Sequence, residues 1–138
     1  MECFTFKAAD KYLGIEARHI HRVVDEATIT PVPLLPLCHL GLLYVRGELF
    51  DVIDIGHLLG QEKGSKPSAD RENYRAILLK WSQGKLALVP DEIIGITWIE
   101  DNNGEEGVYF QEGYKIQVIT PEHIWEMLSG FSYGYRKI

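Results

Sequence analysis

Short apolar segments separated by turn residues recur along the chain, and the clearest unit runs from residue 41 to 60. Two apolar segments, 42–45 and 49–53, flank Arg46-Gly47-Glu48, and this pattern predicts a β-hairpin. Asp54 follows directly and is a good helix N-cap, because its carboxylate can accept backbone N–H groups of the first turn. One helical face then carries Ile55, Leu58 and Leu59. The unit predicted is therefore strand, tight turn, strand and short capped helix.

The same unit recurs 66 positions later, where Gly113 matches Gly47. Residues 108–110 and 114–119 predict the two strands of this hairpin. Thr120 then predicts a helix cap, with a proline at the first helical position, where a missing N–H costs little. The other matched pairs are Val52 with Val118, Ile53 with Ile119, Asp54 with Thr120, His57 with His123 and Leu58 with Ile124. The recurrence predicts two similar β-lobes that each end in a short helix.

The remaining apolar segments predict further short strands, at 3–8, 12–15, 74–81, 85–89 and 93–99. Residues 76–79 are apolar on both faces, which indicates a strand buried on both sides. Three other segments predict different structures: a short amphipathic helix over 17–25, an edge strand and rigid loop over the proline-rich 28–36, and one helical turn over 37–42.

These elements predict a mainly β fold of two small five-stranded barrel lobes with short helices, including a C-terminal helix. The first lobe is predicted to span 1–64 and the second 72–129, followed by a tail at 130–138. The polar segment 61–73 is the predicted linker. The sequence leaves open whether strands cross between the lobes.

Composition narrows the function classes. The net charge of −6 argues against a nucleic-acid partner, which favours a basic protein face. No apolar segment approaches the roughly 20 residues that cross a bilayer, and no signal peptide is visible. A cytoplasmic protein without direct membrane insertion is therefore expected. Cys3 and Cys38 are expected to be free, buried thiols, since two cysteines are too few for a disulfide framework.

The sequence carries no signature of a catalytic nucleophile, a phosphate-binding loop or a dinucleotide site, so no cofactor is predicted. His19 and His21 would point apart on a helix and cannot share a metal there, although they could on a strand. The three tryptophans, Trp81, Trp98 and Trp125, are expected in the core or between the lobes. Arg46 has two interpretations: a solvated charge at a turn, or a fixed fork for a partner's carboxylate or carbonyl.

Three blocks of sequence resemble the CheW family of bacterial chemotaxis adaptors: Y-L-G-I-E at 12–16, T-P-V-P at 30–33 and G-L-L-Y-V-R-G-E-L-F-D-V-I-D at 41–54. The similarity extends from about residue 4 to residue 128. It implies two five-stranded barrels around a shared core and no enzymatic activity. It also implies two partners: the cytoplasmic helical tip of methyl-accepting chemoreceptors, held in an apolar groove, and the regulatory domain of a chemotaxis histidine kinase, joined barrel to barrel.

Carried over by position, Ile20, Gly41 and Arg46 match the receptor-facing positions of that family. Arg22 stands where relatives usually have a glutamate, which is a partner for the hairpin arginine, so two cations would approach here. Tyr44 replaces a frequent asparagine, and the segment 100–107 is shorter than in relatives. The candidate protein-binding residues are Ile20, Arg22, Gly41, Tyr44 and Arg46.

The leading hypothesis is a non-enzymatic adaptor that couples chemoreceptors to a histidine kinase. The alternative is a divergent regulatory module of the same fold in another sensory or motility pathway. A more remote alternative is a β-barrel protein that binds a small molecule, or an enzyme, using the cleft between the lobes.

Overall fold

A computed structural model describes residues 1–33, 38–60, 74–100, 107–111 and 113–130. Its elements in chain order are β1 (Glu2–Ala8), β2 (Lys11–Glu16), a 3₁₀ turn (Ala17–His19), β3 (Ile20–Ala27), β4 (His39–Val45), β5 (Glu48–Asp54), α1 (Ile55–Leu59), β6 (Tyr74–Leu79), β7 (Leu86–Val89), β8 (Glu92–Trp98), β9 (Val108–Gln111), β10 (Tyr114–Val118) and α2 (Pro121–Ser129). The linker 61–73 and the tail 131–138 lie outside the described residues. The predicted mainly β fold with a C-terminal helix is confirmed.

The strands form two five-stranded sheets, which we call sheet A and sheet B. Sheet A has the order β8-β1-β2-β10-β9, and sheet B has the order β3-β6-β7-β5-β4. Each sheet combines strands that precede the predicted linker with strands that follow it. Strands therefore cross between the two halves of the chain, and the predicted segment boundaries do not separate the sheets.

The two sheets share one topology. In each, a strand of a capped hairpin lies parallel to a strand from the other half of the chain, β5 beside β7 and β10 beside β2. The hairpin registers also agree at the predicted offset, because Val45 pairs with Glu48 and Gln111 pairs with Tyr114. The internal repeat is thus confirmed at the level of individual residue pairs, with the halves of the chain exchanging strands.

A large core lies between the sheets and the helices. It contains residues of both sheets and both helices, among them Phe6, Leu13, Ile53, Leu58, Leu88 and Ile124. Residues of β6 alternate between this shared core and a second cluster inside sheet B, since Ile77 joins the first and Leu78 the second. The prediction that 76–79 is buried on both sides is confirmed. Inside sheet A, the third cluster is smaller and centres on Cys3, Ile99 and Ile116.

Residues 17–25 do not form the predicted helix, because they contain a 3₁₀ turn and most of β3. The pairing of β3 with β6 has a bulge between Ile20 and Arg22 and another irregularity between Val24 and Ala27. A bulge places one extra residue on a strand and interrupts the two-residue alternation of its faces. The apolar spacing of β3 therefore imitated a helical period.

Residues 28–33 close sheet B. The predicted edge strand is reduced to one bridge, in which the Thr30 N–H donates to the Leu42 carbonyl at 2.9 Å and the Leu42 N–H donates to the Thr30 carbonyl at 2.8 Å. This bridge connects the chain after β3 to β4, the opposite edge strand, as a small barrel requires. The helical turn predicted over 37–42 is wrong for its described part, since β4 begins at His39.

Both helix caps are confirmed. An Asp54 carboxylate oxygen accepts the His57 N–H at 3.2 Å, and the Thr120 hydroxyl oxygen accepts the His123 N–H at 3.1 Å. Pro121 is the first residue of α2, as predicted. The local signals at these two helix starts were therefore sufficient to place them.

Candidate protein-binding surfaces

The β4–β5 turn holds Arg46 in a fixed position. Arg46 and Gly47 have φ values of 48° and 84°, and Val45 pairs with Glu48 across them. Two successive positive φ values are the mark of a type I′ turn, whose twist matches that of the flanking strands. An arginine with positive φ is uncommon, and it is maintained here by the ladder on both sides. The exposed guanidinium therefore extends from a rigid support.

Arg22, in β3, lines the same surface cavity as Arg46. A surface cavity of about 220 Å³ is lined by His21, Arg22, Val45, Arg46, Glu48, Phe50 and Leu78. The bulge in β3 contributes to this arrangement, since Arg22 directly follows the bulged position and pairs with Leu78. The structure thus brings two of the five candidate residues, Arg22 and Arg46, to one cavity.

Positively charged residues outnumber acidic ones around this cavity. Glu48 is its acidic residue, and the Glu48 carboxylate lies 3.6 Å from the Lys85 ammonium group. Elsewhere in the described chain, arginines form ion pairs with Glu16 and with Asp25. Within the described ranges, neither Arg22 nor Arg46 makes such a pair. The cavity is therefore a local cationic site on a chain whose net charge is −6.

Tyr44 lies on the same hairpin as Arg46, on the face opposite the one that lines the cavity. It pairs with Leu49 across the ladder, and the two side chains are 68% and 55% exposed. Side chains directly opposite in an antiparallel pair lie close together on one face. Tyr44 and Leu49 thus form an exposed apolar pair near the turn that carries Arg46.

Ile20 and Gly41 occupy different environments from the other three candidates. Ile20 is half-buried, pairs with Leu79 and packs against the shared core. Gly41 is buried with φ of 144°, and a Cβ atom there would lie 2.1 Å from the Thr30 carbonyl oxygen. Only glycine fits such a close approach. The binding roles of all five residues stay predictions, and the structure adds a fold-positioning role for Gly41.

A second exposed surface was not identified from the sequence. Three side chains of the edge strand β8 form an apolar row, with Ile94, Ile96 and Trp98 exposed by 42%, 60% and 64%. Trp98 was expected in the core or between the lobes, and its exposure shows that this expectation is wrong. The other two tryptophans, Trp81 and Trp125, do pack on the shared core, with ring centroids 5.9 Å apart. The signal was present in the sequence, because large apolar residues alternate with Gly95 and Thr97.

A wider cavity of about 340 Å³ lies between the two helices and sheet A. Its lining residues are Lys11, Leu13, Leu59, Gln117, Ile119, His123, Glu126 and Met127. Apolar side chains form about half of this lining, and the polar ones have no arrangement typical of catalysis. The described ranges also contain no group of three or more histidine, cysteine or acidic residues placed to share a metal ion.

The two cysteine thiols lie in the interior, and burial raises the pKa of each. Burial, together with the Glu16 carboxylate, raises the pKa of the Cys3 thiol to about 11. Burial likewise raises the pKa of Cys38 to about 11. Both cysteines are free and buried, as predicted. Because the thiolate is the nucleophile, these thiols are poorly suited to covalent chemistry at neutral pH.

No helix in the described part of the chain combines the length and the apolar character needed to cross a membrane. Helix α1 has five residues and α2 has nine.

Comparisons with known proteins agree with this architecture. The chemotaxis protein CheW of Thermotoga maritima is 22% identical over 102 residues, which cover 73% of this chain and 64% of that protein. The crystal structure of the scaffolding protein TtCheW from Thermoanaerobacter tengcongensis has the same fold, with a TM-score of 0.78 and 20% identity, covering 99% of this chain and 97% of that one. The family model of the CheW-like domain matches residues 2–123. The chain therefore belongs to the CheW-like domain family.

Proposed function

We propose that this protein is a non-enzymatic adaptor that joins chemoreceptors to a chemotaxis histidine kinase. The observation that carries the proposal is the pair of separate exposed surfaces on a CheW-like fold: the hairpin tip with Arg46 and Tyr44, and the β8 row of Ile94, Ile96 and Trp98. An adaptor needs two surfaces that two partners can occupy together. The proposed setting is the cytoplasmic side of the membrane, where receptor tips and the kinase meet.

The hairpin tip is the proposed receptor surface. A receptor tip is a helical hairpin, and helices are bound through apolar contacts supported by polar contacts at the rim. Tyr44 and Leu49 supply exposed apolar area next to a rigidly held arginine. Ile20 and Gly41 support this surface from within the sheet.

The β8 row is the proposed surface for the regulatory domain of the kinase. β8 is the terminal strand of sheet A among the described strands, and its exposed apolar row is the face that a partner would contact. An exposed apolar row on such an edge is suited to barrel-to-barrel contact. The area of three large side chains is small, which fits a transient signalling contact better than a permanent one.

A binding experiment tests the adaptor function. The purified protein is mixed with a receptor cytoplasmic fragment and the kinase regulatory domain, separately and together. We expect a ternary complex with dissociation constants below tens of micromolar. Trp98→Ala should weaken kinase binding alone, and Tyr44→Ala should weaken receptor binding alone. Absence of both complexes at tens of micromolar contradicts the proposal, and one variant weakening both contradicts the assignment of separate surfaces.

One observation favours a second candidate, a regulatory module in another sensory or motility pathway. Arg22 lines the cavity beside Arg46, where the resemblance leads one to expect a glutamate. If this charge has moved the protein away from chemoreceptors, Arg22→Glu should strengthen binding to the receptor fragment. Unchanged affinity would remove the reason for this candidate.

A further inference from the structure

Arg22 and Arg46 both line one small cavity, and neither has a carboxylate partner within the described part of the chain. Like charges that share a site repel each other, so such an arrangement costs stability unless a ligand compensates for it. The acidic residue of the cavity, Glu48, has the Lys85 ammonium group within 3.6 Å. The cavity therefore has spare positive charge in the free protein.

We propose that this cavity binds a protein segment presenting two carboxylates beside an apolar side chain. The inference rests on the proposed function in that the cavity belongs to the hairpin-tip surface, and it adds the chemistry of the partner at that surface. Guanidinium groups bind carboxylates through paired, charge-assisted hydrogen bonds, which makes an acidic residue the natural ligand of each arginine.

Three observations specify this occupant. The cavity volume of about 220 Å³ is below the usual range for sites that enclose a drug-sized ligand, so it suits side chains rather than a whole small molecule. The apolar residues Val45, Phe50 and Leu78 line the same cavity and can receive an apolar residue of the same segment. The turn fixes the backbone of Arg46, so binding has to order only its side chain.

A helical segment can present this chemistry. Acidic residues four apart on a helix lie on one face, separated by about one turn, and can address two neighbouring cations together. An apolar residue between or beside them would face the same way. The net charge of −6 disfavours acidic partners on average, so the preference proposed here is local to this cavity.

A peptide titration tests the proposal. The probe is an alanine-based helical peptide with two glutamates four residues apart and a leucine beside them, and its control has glutamines instead. Binding is followed at low salt through the NMR signals of the arginine Nε–H groups. We expect the glutamate peptide to shift the signals of Arg22 and Arg46, and the glutamine peptide to leave them unchanged.

Variants assign the effect to the two arginines. Arg22→Gln removes one charge from β3, and Arg46→Asn removes the other while keeping a residue that tolerates positive φ. Each should weaken binding of the glutamate peptide about tenfold, the size expected for one charge-assisted contact. Arg75→Gln is the matched control, because Arg75 is an exposed arginine in an ion pair with Asp25. It should leave the affinity unchanged.

The outcomes separate this inference from the adaptor function. Equal shifts with both peptides, or equal effects of all three variants, overturn the inference even if the receptor and kinase complexes form. Peptide discrimination by Arg22 and Arg46, with no receptor or kinase complex, supports the inference and overturns the adaptor function. A free dicarboxylate that binds as tightly as the peptide would show a small-molecule site and overturn the assignment to a protein segment.

Discussion

Sheets A and B share a backbone plan and present different chemistry at matching positions. Arg22 in β3 and Gly95 in β8 each directly follow a bulged residue, in strands that hold equivalent edge positions. The bulged residues themselves are His21 in sheet B and Ile94 in sheet A. One edge is therefore polar and cationic, and the other is apolar.

The two hairpins differ in a similar way. Tyr44 and Phe110 occupy the same hairpin position and are both exposed, by 68% and 77%. Tyr44 pairs with Leu49, whereas Phe110 pairs with Lys115. An exposed aromatic residue is thus retained at this position in both hairpins while its neighbours change.

The shared backbone topology of the two sheets therefore does not determine what their surfaces bind. Bulges, turns and caps recur because they shape the sheet, and their chemistry is local. The exposed side chains are free to differ, since they contribute little to the core. Two dissimilar surfaces on one repeated scaffold are what a protein with two different partners requires, which supports the proposed adaptor function.

Substitutions at Gly41 and Gly107, which match at the offset of the repeat, should show the largest difference in stability between the two sheets. A Cβ atom at Gly41 would lie 2.1 Å from the Thr30 carbonyl oxygen, and one at Gly107 would lie 3.2 Å from the Val118 carbonyl oxygen. We expect Gly41→Ala to lower the free energy of unfolding by about 3 kcal/mol or more, because the bridge that closes sheet B must open. Gly107→Ala should cost about 1–2 kcal/mol, mainly from its positive φ.

Urea unfolding of both variants measures this difference. Gly113→Ala is the control for the conformational term, because Gly113 also has a positive φ and a Cβ atom there would meet nothing within 4 Å. Equal losses at Gly41 and Gly107 would show that the Thr30 segment moves aside easily and that the closure of sheet B is weak.

Substitutions at the two turn glycines should have a smaller effect on stability and should affect both hairpins equally. Gly47 and Gly113 have φ values of 84° and 91°, and both have open space where a Cβ atom would lie. Gly47→Ala and Gly113→Ala should therefore each cost about 1 kcal/mol, since the penalty is only the left-handed conformation. Asparagine at either position should cost less, because it adopts this conformation more readily. A much larger loss at one turn, measured by urea unfolding, would mean that the two hairpins are not equivalent.

Features specified by neighbouring residues could be predicted from the sequence. The hairpin register followed from Gly47 and Gly113, and the helix starts followed from Asp54 and Thr120, because turns and caps depend on a few adjacent groups. The fold and the two sheets followed from the repeat and the family resemblance. Arg46 was placed at a turn for the same local reason.

Other features depend on contacts distant in the chain. The bulge after Ile20 gave β3 an apolar spacing that imitated a helix, and its existence depends on pairing with β6. The parallel pairs β5–β7 and β2–β10 join opposite halves of the chain, and no local pattern specifies them. The exposure of Trp98 likewise depends on β8 being an edge strand. The cavity shared by Arg22 and Arg46 depends in the same way on the bulge of β3 and its pairing with β6.

The two helix caps differ in their response to pH, because Asp54 can titrate and Thr120 cannot. We expect this difference to have only a small effect on stability. Asp54 is 7% exposed, and burial raises its pKa above the ordinary 3.8, although the His57 N–H acts in the opposite direction. A folded-state pKa above the unfolded value means that the folded state holds the proton more tightly. The stability that Asp54 contributes is therefore complete below pH 3.8 and is lost as the pH rises through the raised pKa. Ionised Asp54 thus carries a cost at neutral pH.

Asp54→Asn keeps an oxygen to accept the His57 N–H and removes the charge, and asparagine is a good N-cap. We expect this variant to have a higher Tm than the parent protein at about pH 7, with the difference vanishing at about pH 3, below the ordinary carboxyl pKa. Thr120→Asn is the matched control in the second repeat, because threonine does not titrate and its effect should not change between the two pH values. A Tm of Asp54→Asn that falls below the parent value at pH 7 and recovers in acid would show that the ionised carboxylate stabilises α1. The charge at this cap would then contribute to folding in one half of the repeat and be absent from the other.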